Sequence, residues 1–193
     1  MSPTTPIATG AAPTKVITGK VRLSYAHLFE PFSTQPDQEP KFSCVLLIPK
    51  TDVETIAKLR EAQATALEAG KVKFGGTIPK NWKDTIKDGD VEGDLERNPE
   101  YEGHLYMTVS SKTRPGIVDQ AVQPIMDSSE VYSGCYARVS INAFAFNQQG
   151  NKGVSFGLNH VMKIADGEYL GGRSRVEADF ASFAGGGEAD SLI

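Results

Sequence analysis

The segment from Ser133 to Lys163 constrains the fold more than any other part of the chain. In its first half, apolar and mostly small side chains alternate with aromatic, charged and polar ones. One face carries Cys135, Ala137, Val139, Ile141, Ala143 and Ala145, and the other carries Tyr136, Arg138, Ser140, Asn142, Phe144 and Phe146. Because successive side chains of a β-strand point to opposite faces, the alternation predicts a strand between a core and a polar surface. A polar turn over 147–152 then predicts a hairpin with a second strand over 153–163.

Further runs of the same kind predict about five strands in all. Thr14–Leu23 alternates, with Ile17, Gly19, Val21 and Leu23 expected on one face. Phe42–Ile48 is almost continuously apolar, which indicates a strand covered on both sides, and Leu105–Val109 alternates again. Five strands, one helix and long inserts are typical of a mainly β fold, an OB-fold-like five-stranded barrel. An orthogonal sandwich of the same strands would produce the same sequence pattern.

One helix is predicted after the apolar strand. Thr51 and Glu54 match the capping box, in which the two side chains accept hydrogen bonds from exposed amides at the helix start. Gly70 is the expected C-terminal stop. The face expected to be buried carries Val53, Ile56, Ala57, Ala64 and Leu67.

The chain divides into three parts. Residues 1–13 form a Pro-, Thr- and Ala-rich leader that we expect to be disordered, 14–180 form the predicted domain with an insert over roughly 71–102, and 181–193 form a flexible acidic tail. No apolar run approaches the roughly 20 residues of a membrane span, and the leader is unlike a secretory signal. We therefore expect a cytoplasmic protein with no membrane partner, in which Cys44 and Cys135 are buried thiols.

Charge is distributed unevenly along the chain. The net charge is −4, but 14 of the 24 acidic residues lie in 84–102 and 166–193, together with only 4 of the 20 basic residues. The remainder therefore has 16 basic and 10 acidic residues, a net charge of +6. A basic body with segregated acidic segments is compatible with a polyanionic partner.

The polar face of the Ser133–Lys163 segment predicts a surface for nucleic acid. Aromatic rings interleaved with Arg and Asn allow unpaired bases to stack while cations contact phosphates. The predicted platform consists of Tyr136, Arg138, Asn142, Phe144 and Phe146, with Tyr106, Lys20 and Arg22 on neighbouring strands. The alternative is that the long inserts cover these aromatic rings.

Two smaller basic groups are further candidates for nucleic-acid contact. The first surrounds Trp82, the only tryptophan, and consists of Lys71, Lys73, Lys80, Lys83 and Lys87. The indole could stack on a base or could instead be a packing plug. Lys112 and Arg114 follow the Tyr106 strand and are predicted phosphate contacts.

No catalytic or metal-binding constellation is evident. Asp88–Asp94 resembles the start of a calcium loop, but Pro99 stands where a bidentate Glu is required, so a solvated acidic loop is favoured. His27, His104 and His160 are isolated in sequence, and neither a G-x-S-x-G motif nor a P-loop is present. We predict a protein that is not an enzyme and has no cofactor. A metal-dependent nuclease using the acidic loop is the least favoured alternative.

Five blocks of sequence in order carry a resemblance to a known family. They are GKVRLSYAHLFEP (19–31), FSCVLLIPKTD (42–52), NWKDTIKDGD (81–90), SEVYSGCYARVSINAFAF (129–146) and GNKGVSFGLNHVMK (150–163). Together they resemble the bacteriophage single-stranded DNA-binding proteins over roughly residues 14–180. The resemblance implies an OB-fold core with inserts, and a role in coating single-stranded DNA during phage replication or recombination in the host cytoplasm.

The C-terminal segment GGGEADSLI is similar in character to the acidic tails by which other single-stranded DNA-binding proteins recruit replication partners. It departs from their commonest form because it ends in Leu-Ile and carries only two acids. The prediction is a non-enzymatic, largely sequence-independent single-stranded DNA-binding protein. The alternative is an OB-like module that binds replication or recombination proteins without touching DNA.

Overall fold

The structure is a computed structural model, and it describes residues 14–171 and 180–183. The strands are β1 Lys15–Ile17, β2 Val21–Phe32, β3 Lys41–Pro49, β4 Lys83–Asp84, β5 Lys87–Asp88, β6 His104–Ser111, β7 Gly116–Val118, β8 Tyr136–Gln148 and β9 Asn151–Ala165. The α-helices are α1 Val53–Ala69 and the short α2 Gly89–Glu92. The leader over 1–13 and most of the C-terminal tail lie outside the described residues.

Five of these strands close into a barrel. The ring runs β2–β3–β6–β9–β8 and returns from β8 to β2. Its neighbours are antiparallel except β6 and β9, which pair in parallel at Val109–Phe156 and Ser110–Gly157. The OB-fold-like barrel is thereby confirmed. The short β4, β5 and β7 attach to β6 and β9, while β1 pairs with β8.

The barrel interior is the main hydrophobic core. The apolar face of β8 is buried from Ala137 to Ala145, as its alternation predicts, and β9 adds Val154, Phe156 and Leu158. Helix α1 packs against β8 and ends at Gly70, which touches Ala145 so closely that a side chain would not fit there. Cys44 and Cys135 are free and buried, as expected, and burial raises the pKa of Cys44 to about 12.

The sequence misplaced the cap of α1 and part of its buried face. Asp52, not Thr51, caps the helix, and its carboxylate accepts a hydrogen bond from the Thr55 amide at 3.2 Å. Of the predicted face, Leu67 is buried and Ile56 packs half-buried against the core, but Val53, Ala57 and Ala64 are exposed. The other buried residues are Thr55, Leu59, Ala62, Gln63 and Ala66. A tertiary contact accompanies this orientation, because the Thr55 hydroxyl accepts a hydrogen bond from the Gly19 amide at 2.9 Å.

The predicted strand over Thr14–Leu23 is interrupted. The chain bends at Gly19 and Lys20 between β1 and β2, so the alternation slips by one residue. Val16 is therefore buried and Ile17 is 51% exposed, the reverse of the predicted faces, while Val21 and Leu23 are buried as expected. Beyond them β2 continues to Phe32, with an irregularity near Tyr25, whose φ is 45°.

Strand β3 is covered on both sides, which confirms the prediction for Phe42–Ile48. Cys44, Leu46 and Ile48 face the core, and Val45 and Leu47 form a small outer cluster with Tyr101. Among the described residues, no helix has the length and apolar character needed to cross a membrane.

Candidate nucleic-acid interface

A band of small and polar side chains crosses the outside of the barrel over β3, β6, β9 and β8. Strand register aligns Ser43 with Ser110, Ser110 with Gly157, and Gly157 with Asn142. The adjacent band contains Thr108 and Ser155, and Ser155 lies opposite Phe144. We call these seven residues the floor. It contains no charged side chain, and Phe144 is its one aromatic residue.

Two clefts lie over the part of this floor on β3, β6 and β9 and share Ser110, so together they form one groove. The first has a volume of about 470 Å³ and the second about 280 Å³. The first is bordered by Phe32 and the β2–β3 loop, and the second by the segment that contains β4 and β5. The groove therefore runs across the barrel strands from the β2–β3 loop to the insert.

Lysines stand at both ends of the groove. Lys41 and Lys112 line the first cleft, and Lys83 and Lys87 line the second. Lys112 lies 3.3 Å from Glu39, but both side chains are about two-thirds exposed, so solvent weakens that pair. Four cations around a neutral floor suit a chain of phosphates held at the rims, with uncharged groups between them.

Aromatic rings border the groove on two sides. Phe144 is 44% exposed, and beyond it Phe146 and Lys73 line a further cleft of about 430 Å³. At the opposite end, Phe32 is 47% exposed and stacks on His27 with ring centroids 4.1 Å apart. Burial lowers the pKa of His27 below its usual value, so its ring is neutral near pH 7.

The structure brings some of the predicted site residues together at this groove. Asn142 and Phe144 contribute to the floor, and Lys83 and Lys112 stand at its ends. Sequence reasoning missed the other members of the site, because their proximity depends on strand register. Those residues are Phe32, Lys41, Ser43, Thr108, Ser110, Ser155 and Gly157, whereas Lys87 belongs to the basic group predicted around Trp82. The one local signal was the aromatic side chain of Phe32 next to the polar segment 33–40.

Tyr106 does not lie on a strand neighbouring β8, contrary to the prediction. It belongs to β6, which β9 separates from β8. It borders the second cleft, but its ring packs on Tyr101 at 4.8 Å, and its hydroxyl donates a hydrogen bond to the Glu92 carbonyl at 3.2 Å. Tyr106 therefore supports the insert where the insert meets the groove.

A second group of predicted residues lies at the opposite end of β8. Tyr136 has Lys20 Nζ 4.7 Å and the Arg22 guanidinium 5.7 Å from its ring. Arg22 donates hydrogen bonds to the carbonyls of Gly134 and Glu168, and Arg138 donates one to the Thr18 carbonyl. Eight residues of strand, roughly 26 Å, separate Tyr136 from Phe144. The predicted platform is thus divided into two separate groups.

The remaining candidates lie beside the groove or outside it. Trp82 is half-buried and packs against the main core, which favours the packing alternative. Lys80 is exposed in the loop before β4. Arg114 lies over the Phe29 ring at 5.6 Å and lines a flanking cleft with Lys15 and Asn159.

The acidic insert covers one end of the β3–β6 face. Lys50 pairs with Asp88 at 2.7 Å and Asp90 at 2.5 Å, which raises the pKa of Lys50 and lowers the pKa of both carboxyl groups. Tyr101 is buried on Val45 and Leu47, and burial raises its pKa to about 12. Within residues 14–171 and 180–183, no three potential ligands converge as a metal site would require.

Comparisons with known proteins agree with this architecture. The sequence profile of a family described as "Enterobacter phage Enc34, ssDNA-binding protein" matches residues 14–192. A solved structure of the bacteriophage Enc34 single-stranded DNA-binding protein in complex with ssDNA is 27% identical, with a TM-score of 0.69 over 82% of this chain and 90% of that one. Protein p50 of Acyrthosiphon pisum secondary endosymbiont phage 1 is 28% identical over 84% of this chain and 91% of its own length.

The fold also resembles that of gp2.5, a single-stranded DNA-binding protein encoded by bacteriophage T7. That structure superimposes with a TM-score of 0.58 and covers 94% of this chain and 99% of its own, at 16% identity. At that identity the likeness concerns the fold alone.

Proposed function

Because this chain belongs to the family of the Enterobacter phage Enc34 ssDNA-binding protein, we propose that it coats single-stranded DNA, largely independently of sequence, with the strand lying in the groove. The observation that carries the proposal is the neutral floor between two pairs of lysines, on a fold similar to one solved in complex with ssDNA. OB-folds commonly bind oligonucleotides on this part of the barrel.

Phosphates and bases would use different parts of the groove. Lys41, Lys112, Lys83 and Lys87 contact phosphates at the rims, where each displaced counterion favours binding. Bases face the floor, and rings at Phe144 and Phe32 offer stacking worth about 1–3 kcal/mol per base. Stacking does not discriminate strongly among bases, which accounts for binding that is largely independent of sequence.

Preference for a single strand follows from the position of these rings. A base can stack on Phe144 only when its own face is free, and in a duplex both faces are covered by neighbouring base pairs. The lysine rims alone would bind either form of DNA. The aromatic contacts are therefore expected to provide the discrimination.

The wider role is part of the proposal. We place the protein in phage DNA replication or recombination within the infected host cell, as a non-enzymatic protein that protects the strand. The acidic segment near the C-terminus, most of which lies outside the described residues, is proposed to recruit replication or recombination proteins.

The test is a fluorescence-anisotropy titration of labelled oligo-dT and of a duplex of equal length, at two salt concentrations and without added metal. We expect tight, salt-sensitive binding to the single strand and much weaker binding to the duplex. Absence of binding to oligo-dT at low salt would overturn the proposal and favour an OB-like module that binds proteins only.

A further inference from the structure

Gly157 occupies a position in β9 that does not require glycine. Glycine in the middle of a strand is unfavourable because it loses more chain entropy on folding and packs no side chain. A Cβ built at Gly157 would find its nearest neighbours, atoms of Ser110, Asn142 and Phe144, at 3.9 Å, an ordinary contact distance. Gly157 is also absent from the glycines that have a positive φ. Neither packing nor backbone geometry accounts for it.

Other strand glycines in the same region have clear structural reasons. A Cβ at Gly153 would overlap the Lys83 carbonyl, where β4 pairs with β9. A Cβ at Gly116 would lie 2.8 Å from Nδ1 of His160, which accepts a hydrogen bond from the Gly116 amide. Gly157 differs from both because the space above it is open. Glycine in a strand often marks a place where a ligand approaches the backbone closely.

The surroundings of Gly157 are neutral and able to form hydrogen bonds. It lies between Ser110 on β6 and Asn142 on β8, with an edge atom of the Phe144 ring nearby. Asn142 is held in place by Thr14, whose hydroxyl donates to its side-chain oxygen at 3.0 Å. Among the described residues, the hydroxyls of Ser110 and Ser155 have no protein hydrogen-bond partner.

We propose that Gly157 is the floor of a nucleobase subsite. One base lies on the half-exposed peptide of Gly157, against the edge of Phe144, with its polar groups within reach of Ser110 and Ser155. A base fits this place better than a phosphate because the lysines stand at the ends of the groove and not beside Gly157. The inference rests on the proposed function and specifies the position at which one base binds.

A side chain at position 157 would fill this subsite without harming the fold. Valine is favoured in strands, and the first added carbon meets no close neighbour. Gly157→Val is therefore expected to keep or raise the melting temperature while weakening binding. Loss of one stacked base corresponds to an increase in Kd of roughly 5- to 150-fold.

The experiment measures Kd and melting temperature for the wild type, Gly157→Ala, Gly157→Val and the control Ala165→Val. Ala165 is the last residue of the same strand, where it pairs with Tyr136. Each protein is titrated with oligo-dT and with an abasic deoxyribose-phosphate oligomer of equal length. We expect Gly157→Val to weaken binding to oligo-dT and to leave binding to the abasic oligomer unchanged. Gly157→Ala should weaken binding to oligo-dT by a smaller factor. Ala165→Val should change the affinity for neither oligomer.

Two outcomes would overturn the subsite. The first is that Gly157→Val binds oligo-dT as tightly as the wild type does. The second is that Gly157→Val loses the same factor of affinity for both oligomers, because the valine would then obstruct the path of the DNA backbone. If the valine variant does not fold, the same two comparisons are made with Gly157→Ala, provided that its melting temperature equals that of the wild type. Failure of the wild type to bind oligo-dT would instead overturn the proposed function.

Discussion

The two ends of β8 carry similar side chains but differ in what those side chains contact. At the Tyr136 end, Lys20 and Arg22 lie over the ring, and Arg22 and Arg138 donate hydrogen bonds to backbone carbonyls. At the Phe144 end, the ring is 44% exposed beside the neutral floor. The same alternating sequence pattern therefore provides contacts that hold the fold together at one end of β8 and a proposed DNA interface at the other. The difference arises from the neighbouring strands.

The largest expected effect on DNA binding comes from Phe144. Phe144→Ala removes a stacking surface and should raise the Kd for oligo-dT roughly 5- to 150-fold, with little change in melting temperature. Tyr136→Ala is the matched control and should leave Kd within about 2-fold. Anisotropy titration measures both. If both variants lost the same factor of affinity for oligo-dT, the proposed functional difference between the two ends of β8 would be wrong.

Arg22 should affect folding and not binding. Its guanidinium ties β2 to the carbonyls of Gly134 and Glu168, and loss of such charge-assisted hydrogen bonds costs about 1–3 kcal/mol. Arg22→Ala should therefore lower the free energy of unfolding by about that amount, measured by urea denaturation. Its Kd for oligo-dT should match that of the wild type under conditions where both are folded. A large loss of affinity would place DNA at the Tyr136 end.

Lys112 should contribute to the salt dependence of binding. If Lys112 contacts one phosphate, Lys112→Ala should make the slope of log K against log salt shallower by about 0.7. The control is Lys58→Ala, which removes the same charge from the exposed surface of α1. Titrations at four salt concentrations measure the slopes. An unchanged slope for Lys112→Ala would indicate that the phosphates do not pass the first cleft.

The smallest effect concerns the acidic insert. The pKa values of Asp88 and Asp90 are lowered by Lys50, so their contribution to stability is present above the usual carboxyl pKa of about 3.9. It is lost as the pH falls through their lower folded-state values. Lys50→Met should therefore melt below the wild type at pH 7, and the difference should shrink near pH 3. If the difference in melting temperature between Lys50→Met and the wild type did not change with pH, these ion pairs would not be its cause.

Local periodicity was sufficient to predict much of the fold. The alternation in β8 identified its buried residues from Ala137 to Ala145, because strand geometry fixes which side chains share a face. The unbroken apolar run in β3 predicted cover on both sides, and Tyr101 provides the outer cover. The face of α1 was predicted only in part, because its buried side includes the polar Thr55 and Gln63, and Thr55 accepts a hydrogen bond from the distant Gly19.

The candidate site was harder to predict than the fold because its residues come from several strands. Ser43, Ser110 and Gly157 have no distinguishing local pattern, and they become neighbours only through the registers of β3–β6 and β6–β9. Sequence indicated Phe144, Asn142, Lys83 and Lys112 through residue type and strand face. Residue type alone could not separate Phe144 from Tyr136, since both face outward from the same strand.

The most direct test of the account is photo-crosslinking of the full chain to an oligonucleotide that contains 5-iododeoxyuridine, with the attachment sites identified by mass spectrometry. Crosslinks on Phe144 or Phe32, and none on Tyr136, are the predicted result, because bases should stack along the groove. Crosslinks confined to Tyr136, with none at Phe144 or Phe32, would contradict the account and place the strand at the other end of β8.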